Sequence, residues 1–254
     1  MSNNVIKWCN CNWGDQMEGG RIIHPNEAWN WLSNSDDVVT VMRNGEMHLT
    51  FRNNPNKIKY WDGKTYEPTI ERALLRTKEH FDYGMFSLEM MMPKGLNVGC
   101  AFWLSGHGNW PPEIDILEAW ATDCNYLNRF TNHFPWLGKS WRTTYNVHFR
   151  DLKMTHRHFG SNNIRCKQQP LDPTENWIKY ECEWMPDEIV FRANGVTTKA
   201  ISKKHSNWLV NNLQKPENGH LMDAIIDIQM DDPAKKEIRL DSPLKVRNFH
   251  YEEY

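Results

Sequence analysis

The sequence predicts an all-β protein, a sandwich or a barrel, on three observations. Apolar and polar residues alternate with a period of two in several short segments. Clusters of Pro, Asn and Gly separate those segments, and helix signals are few and short. In chain order, residues 25–32 are the best helix candidate. Met47, Leu49 and Phe51 alternate with His48 and Thr50, the pattern of a strand with one buried face. Phe86, Leu88 and Met90 alternate in the same way with Ser87, Glu89 and Met91. Residues 113–118 read as a buried strand that starts after Pro111-Pro112. Residues 123–176 look irregular and are rich in His, Arg, Asn and aromatics, so they are expected to wall a cleft; the Asn-rich piece 207–220 is expected to be a second loop. Ile189-Val190-Phe191 leads into Asn194-Gly195 and Val196-Thr197, a hairpin signal, because Asn-Gly suits the two positive-φ positions of a type I′ turn. Residues 224–228 read as a buried strand carrying one acid, Asp227, and residues 244–251 as the last strand. With no linker, repeat or low-complexity stretch, residues 1–254 are expected to form one domain.

Composition narrows the function classes. A net charge of −2 gives no broad electrostatic case for nucleic acid or an anionic membrane as partner. No apolar run is long enough to span a bilayer. Met1-Ser2-Asn3-Asn4 does not resemble a signal peptide, so the protein is expected either to stay where it is made or to have had a leader removed. Thirteen Trp residues are unusually many; some must pack in the core, and an indole is also a flat apolar platform suited to a sugar ring, which favours a glycan partner. The six Cys fit no disulfide framework: Cys100 and Cys182 sit in apolar strands as small hydrophobes, and Cys9-Asn10-Cys11 lacks the second pair of a metal site. His148, His156 and His158 suit no standard helix metal site, so no metal is expected. Ser105-Gly106-His107-Gly108 lacks the Gly two before the serine of a nucleophile elbow. Gly138-Lys139-Ser140 lacks the upstream Gly of a P-loop, because position 133 is His.

The most informative segment is Glu113-Ile114-Asp115-Ile116-Leu117-Glu118. Three carboxylates fall in an apolar run, where carboxylates are normally excluded. Strand alternation puts Glu113 and Asp115 on one face and the isoleucines on the other, toward a core. A regular strand would put Glu118 on the wrong face; one extra residue at Ile116-Leu117, a β-bulge, returns it to the acidic face. Carboxylates so placed repel one another, so at least one is expected to hold a proton near neutral pH. An ionised and a protonated carboxyl ~5–5.5 Å apart are what a double-displacement glycosidase needs.

This hexapeptide resembles the signature of glycoside hydrolase family 16 in its bulged form, as in laminarinases, agarases, porphyranases and carrageenases. Tyr83-Gly84-Met85-Phe86-Ser87-Leu88-Glu89, Ala101-Phe102-Trp103-Leu104 and the stretch from Trp177 to Gly195 resemble further segments of that family, in the same order. The resemblance implies a jelly-roll β-sandwich of the concanavalin A-like lectin/glucanase type and a retaining endo-β-glycosidase with no cofactor, acting as a monomer. Its polysaccharide substrate would be a β-1,3-glucan or a galactan such as agar, porphyran or carrageenan. It implies Glu113 as nucleophile, Glu118 as acid/base and Asp115 as the group between them. Trp103 is expected beside the cleavage point, and Trp110, Trp120 and the pair Asn132-His133 are further substrate-binding candidates; each Trp has core packing as its alternative. Arg247 stands where many members carry an Asp that binds calcium, which argues against a cation there. Arg129, Arg142, Arg150, Arg157 and Arg165 would suit sulfate or carboxylate groups on a substrate if they line the cleft. A non-catalytic glycan-binding module and a transglycosylase are the alternatives on the same fold. The first has no need of three repelling carboxylates, and the second differs only in its products.

Overall fold

The computed structural model describes residues 5–14, 29–53, 58–59, 65–106, 112–120, 142–150, 156–165, 171–202 and 221–254. Among them there is no helix, and the strands run in chain order as follows. The first half holds β1 (Ile6–Trp8), β2 (Cys11–Gly14), β3 (Asn30–Ser33), β4 (Val39–Val41), β5 (Met47–Leu49), β6 (Phe51–Asn53), β7 (Ile58–Lys59), β8 (Thr65–Tyr66), β9 (Ile70–Thr77), β10 (Gly84–Met91), β11 (Lys94–Leu96), β12 (Val98–Gly106) and β13 (Glu113–Trp120). The second holds β14 (Arg142–Arg150), β15 (His156–Arg165), β16 (Ile178–Trp184), β17 (Glu188–Ala193), β18 (Val196–Ser202), β19 (Met222–Met230), β20 (Arg239–Ser242) and β21 (Leu244–Glu253).

Two sheets dominate. The larger runs β1-β2-β9-β19-β12-β13-β14-β15, with β3 and β6 also on β9; the smaller runs β18-β17-β16-β10-β21-β5-β4. All pairs are antiparallel except β3 with β9. One hydrophobic core joins the sheets, with Phe86, Leu88 and Met90 of β10 facing Phe102 and Leu104 of β12, Ile114 of β13 and Ile226 of β19. Phe249 of β21 ties them further through edge-on contacts with Trp13 and Phe102, centroids 5.0 and 6.2 Å apart. Each such side chain is worth ~1.5–3 kcal/mol when fully buried. The fold is the jelly-roll β-sandwich that the sequence predicts.

Local expectations fare unevenly, for physical reasons. The Asn-Gly hairpin is present: Asn194 and Gly195 have φ of 48° and 77°, and β17 pairs with β18 around them. Gly84 begins β10 where a Cβ would collide with the Glu252 carbonyl on β21, which explains the Tyr-Gly pair there. Trp184 is a core residue, edge-on to Tyr83 at 4.8 Å. Cys100 and Cys182 are buried thiols, and Cys9 with Asn10 forms the positive-φ turn between β1 and β2.

Three expectations are corrected. Residues 30–32 of the helix candidate form β3, because pairing with β9 and burial of Asn30, Trp31 and Leu32 outweigh weak local helix preference; residues 25–28 lie outside the described residues. The strand expected over Met47–Phe51 is broken at Thr50. There the chain crosses between sheets, its N–H donating to Val38 O at 2.9 Å and its carbonyl accepting from Ala73 N at 3.0 Å. Within 123–176, expected to be irregular, β14 and β15 pair antiparallel, with one register shift between Thr143 and Tyr145; residues 121–141 and 207–220 lie outside the described residues.

Candidate active site

β13 sits deep in the larger sheet between β12 and β14, and its register carries the bulge. On β12, Phe102 faces Leu117 and Trp103 faces Asp115, so Ile116 is one residue too many. On β14, Asn146 faces Asp115 and Thr144 faces Glu118, three residues of β13 against two. Ile114, Ile116, Leu117 and Ala119 all enter the core. Glu113, Asp115, Glu118 and Trp120 are left on the opposite face, as the alternation with one extra residue requires.

Neighbouring strands furnish that face. His148 of β14 lies opposite Glu113; its Nε2 is 3.5 Å from Glu113 Oε1 and 3.3 Å from Asp115 Oδ2. Asn146 Nδ2 donates to Glu118 Oε2 at 3.2 Å. Trp103 leans on Leu32, Leu74 and Ile225, an apolar patch separate from the main core, and its Nε1 donates to Asp227 Oδ1 at 3.2 Å. Arg72 Nη1 donates to Asp227 Oδ2 at 2.8 Å. Arg76 of β9 and His80 close on the buried Asp223 of β19 in a second, partly exposed cluster. Beyond Glu118, a cavity of about 540 Å³ is lined by Trp29, Asn30, Arg72, Trp120, Gln229 and Asp231, among others.

The electrostatics separate the groups. Burial pushes the Glu118 carboxyl above its ordinary value, and the charges of Asp115 and Asp227 push it further, against His148 and the Asn146 hydrogen bond. Glu118 is therefore the carboxyl suited to carry a proton. His148 is raised chiefly by its hydrogen bond to Asp115, against burial, with the charges of Asp115, Glu113 and Glu118 adding to it. Asp227 is raised by burial, against the Arg72 guanidinium and the Arg72 and Trp103 hydrogen bonds. Glu113, Asp115 and His148 offer ligand atoms within 4.8 Å of one another, a set that suits a protonated imidazole between two carboxylates.

Of the residues singled out from sequence, Glu113, Asp115, Glu118, Trp103 and Trp120 share this face. Trp110, Asn132 and His133 lie outside the described residues, as do Arg129, Cys124 and Cys166. Arg247 is elsewhere: its Nε donates to Glu89 Oε2 at 2.7 Å, and its guanidinium lies 4.2 Å over the Trp177 ring. Sequence reading weighed His148 only as a metal ligand and set it aside, and it missed Asn146, Arg72 and Asp223. Asp227 had a signal, an acid in an apolar strand; His148 had only strand alternation, which does not say which strand is next to β13.

The fold and the face together define a concanavalin A-like jelly-roll sandwich whose larger sheet presents three carboxylates beside an indole. The chain belongs to glycosyl hydrolases family 16, whose profile matches residues 26–222. A glucan endo-1,3-beta-glucosidase from Cryptopygus antarcticus is 28% identical over 126 residues, a match covering 42% of this chain and 44% of that relative, less than half its length. The fold is similar to LamAcat from Zobellia galactanivorans, with a TM-score of 0.61 at 17% identity, covering 92% of this chain and 86% of that one. It is also similar to the laminarinase catalytic domain from Thermotoga maritima, with a TM-score of 0.57 at 16% identity over 89% and 84% of the two chains. A Bacteroides ovatus mixed linkage glucan GH16 protein, in complex with a G4G4G3G product, has a TM-score of 0.61 at 13% identity over 96% and 95%.

Proposed function

We propose that this protein is a retaining endo-glycosidase that cleaves a β-1,3-linked glucan. The observation that carries the reading is the bulge at Ile116, which sets Glu118, with its raised pKa, on the same face as Glu113 and Asp115. Glu118 protonates the glycosidic oxygen as the C–O bond breaks, while Glu113 attacks the anomeric carbon and forms a glycosyl ester. Water, deprotonated by Glu118, then displaces Glu113 and restores both groups. Asp115 and His148 keep the nucleophile's surroundings ionic and oriented, and Trp103 offers a flat face for the reacting ring.

Glucan is preferred to a sulfated galactan for two reasons. The relative from Cryptopygus antarcticus is named for β-1,3-glucan. Buried Arg72 and partly buried Arg76 are each engaged by a carboxylate of β19, which leaves them poor partners for sulfate. The cavity beside Trp120 extends the face beyond the acids, as an enzyme binding several consecutive sugars requires.

The test is oligosaccharide release from laminarin, lichenan, agarose, porphyran, carrageenan and mucin-type glycans, with the anomer of the first product followed by NMR. Release from laminarin with retained configuration is expected. Glu113→Gln, which keeps the shape but cannot form the glycosyl ester, abolishes turnover while the fold survives. Inverted product, or a folded Glu113→Gln protein that stays active, overturns the mechanism. Binding without release would make the protein a glycan-binding module, and longer products at high acceptor concentration a transglycosylase.

A further inference from the structure

Asp227 is a buried acid on β19, 3% exposed, with no place in the double displacement itself. Ala101 of β12 faces Glu118 on one side and Asp227 on the other. The two carboxyls therefore stand on the same face, two strands apart, with a single methyl group between their rows. Both oxygens of Asp227 accept: Oδ1 from Trp103 Nε1 at 3.2 Å and Oδ2 from Arg72 Nη1 at 2.8 Å. Burial raises the pKa of Asp227, and the Arg72 guanidinium and the Trp103 hydrogen bond oppose that by favouring its carboxylate form. Arg72 is fixed in turn by Ile228 O at 2.6 Å and Asn30 Oδ1 at 3.3 Å, and it lies on β9, on the side of Asp227 away from Glu118.

We propose that Asp227 is a positioning residue for the acid/base: it anchors the Trp103 indole and sets a carboxylate, paired with Arg72 on its far side, across Ala101 from Glu118, where its charge favours the acid form of Glu118. The inference rests on the reading of Glu118 as the proton donor. Glu118 is faced by Asp115 from its own strand, by His148 and Asn146 from β14 and by Asp227 from β19. Burial favours the proton most, Asp115 and Asp227 favour it further, and His148 and the Asn146 hydrogen bond oppose it, so Asp227 supplies the second negative charge in that balance.

The experiment is Asp227→Asn, which keeps an acceptor for Trp103 and removes the charge, together with the acceptor for Arg72. The alkaline limb of the kcat/KM profile reports the acid, and the carbon-13 shift of the Glu118 carboxyl reports the same proton without turnover. Two strands correspond to roughly 10 Å, and effective dielectric constants of ~80 to ~20 then give a downward shift of roughly 0.3 to 1.2 pH units in both readouts. Should the stranded Arg72 prevent folding, the double variant Asp227→Asn/Arg72→Gln removes both charges, and it shifts Glu118 in the same direction. An active parent whose limb and carboxyl titration are unmoved in the folded variant overturns this inference and leaves the glycosidase reading intact. A parent that releases nothing from any glycan overturns that reading and the inference with it, whatever the titration shows.

Discussion

His148→Gln separates the charge of the imidazole from its shape. Its Nε2 stands 3.5 Å from Glu113 and 3.3 Å from Asp115, and the three side chains are 21%, 15% and 11% exposed. At ~3.4 Å a pair of unit charges is worth ~5 kcal/mol at an effective dielectric constant of ~20 and ~1 kcal/mol at ~80. Desolvation of a half-buried group removes much of the larger figure, leaving a net loss of about 1–2 kcal/mol. The sign with pH follows from the direction of the shift. The folded-state pKa of His148 is raised above its ordinary 6.5, chiefly by the Asp115 hydrogen bond. Its contribution is therefore fully present below the unfolded pKa, while the carboxylates remain ionised, and is lost as pH rises through the folded pKa. Urea unfolding of parent and variant at intervals from pH 5.5 to 9 should give a stability difference that is largest at pH 5.5 and shrinks steadily above. Activity moves in the opposite direction to Asp227→Asn: without the His148 charge Glu118 keeps its proton longer, so the alkaline limb rises. A stability difference that does not change with pH, together with an unmoved limb, would refute the assignment of a protonated imidazole between the carboxylates.

Two further outcomes are expected. Among Trp103→Ala, Trp110→Ala and Trp120→Ala, at least one lowers kcat/KM on the identified glycan by about 1–3 kcal/mol of binding, by analogy with base stacking on aromatics, with kcat affected as well as KM because the ring is held for attack; three folded variants with parental kcat/KM would place the sugar platform elsewhere. A chelator leaves the melting temperature unchanged at the C-terminal strand's candidate calcium position, because Arg247 is held there by Glu89 and Trp177; a fall of many degrees would reveal a structural cation.

The sequence by itself determined what depends on nearest neighbours along the chain. Period-two alternation marked β10 and the strand ending in Asn194-Gly195, since a strand's faces and a type I′ turn are set by a few consecutive residues. The same alternation placed Glu113 and Asp115 together and required one extra residue to bring Glu118 to them, and the register of β13 has that residue at Ile116. Tertiary structure decided what depends on which strands become neighbours. Residues 30–32 became strand only because β9 offered a parallel edge, and the segment from Met47 to Phe51 divides at Thr50 only because two sheets compete for it. The partners of the acids were hidden for the same reason. His148 is 35 positions beyond Glu113 in the chain, and Arg72 reaches Asp227 across 155 positions. No local pattern encodes such pairings, because they arise when sheet order, a property of the whole packed chain, brings β14 to one side of the acids and β19 with β9 to the other.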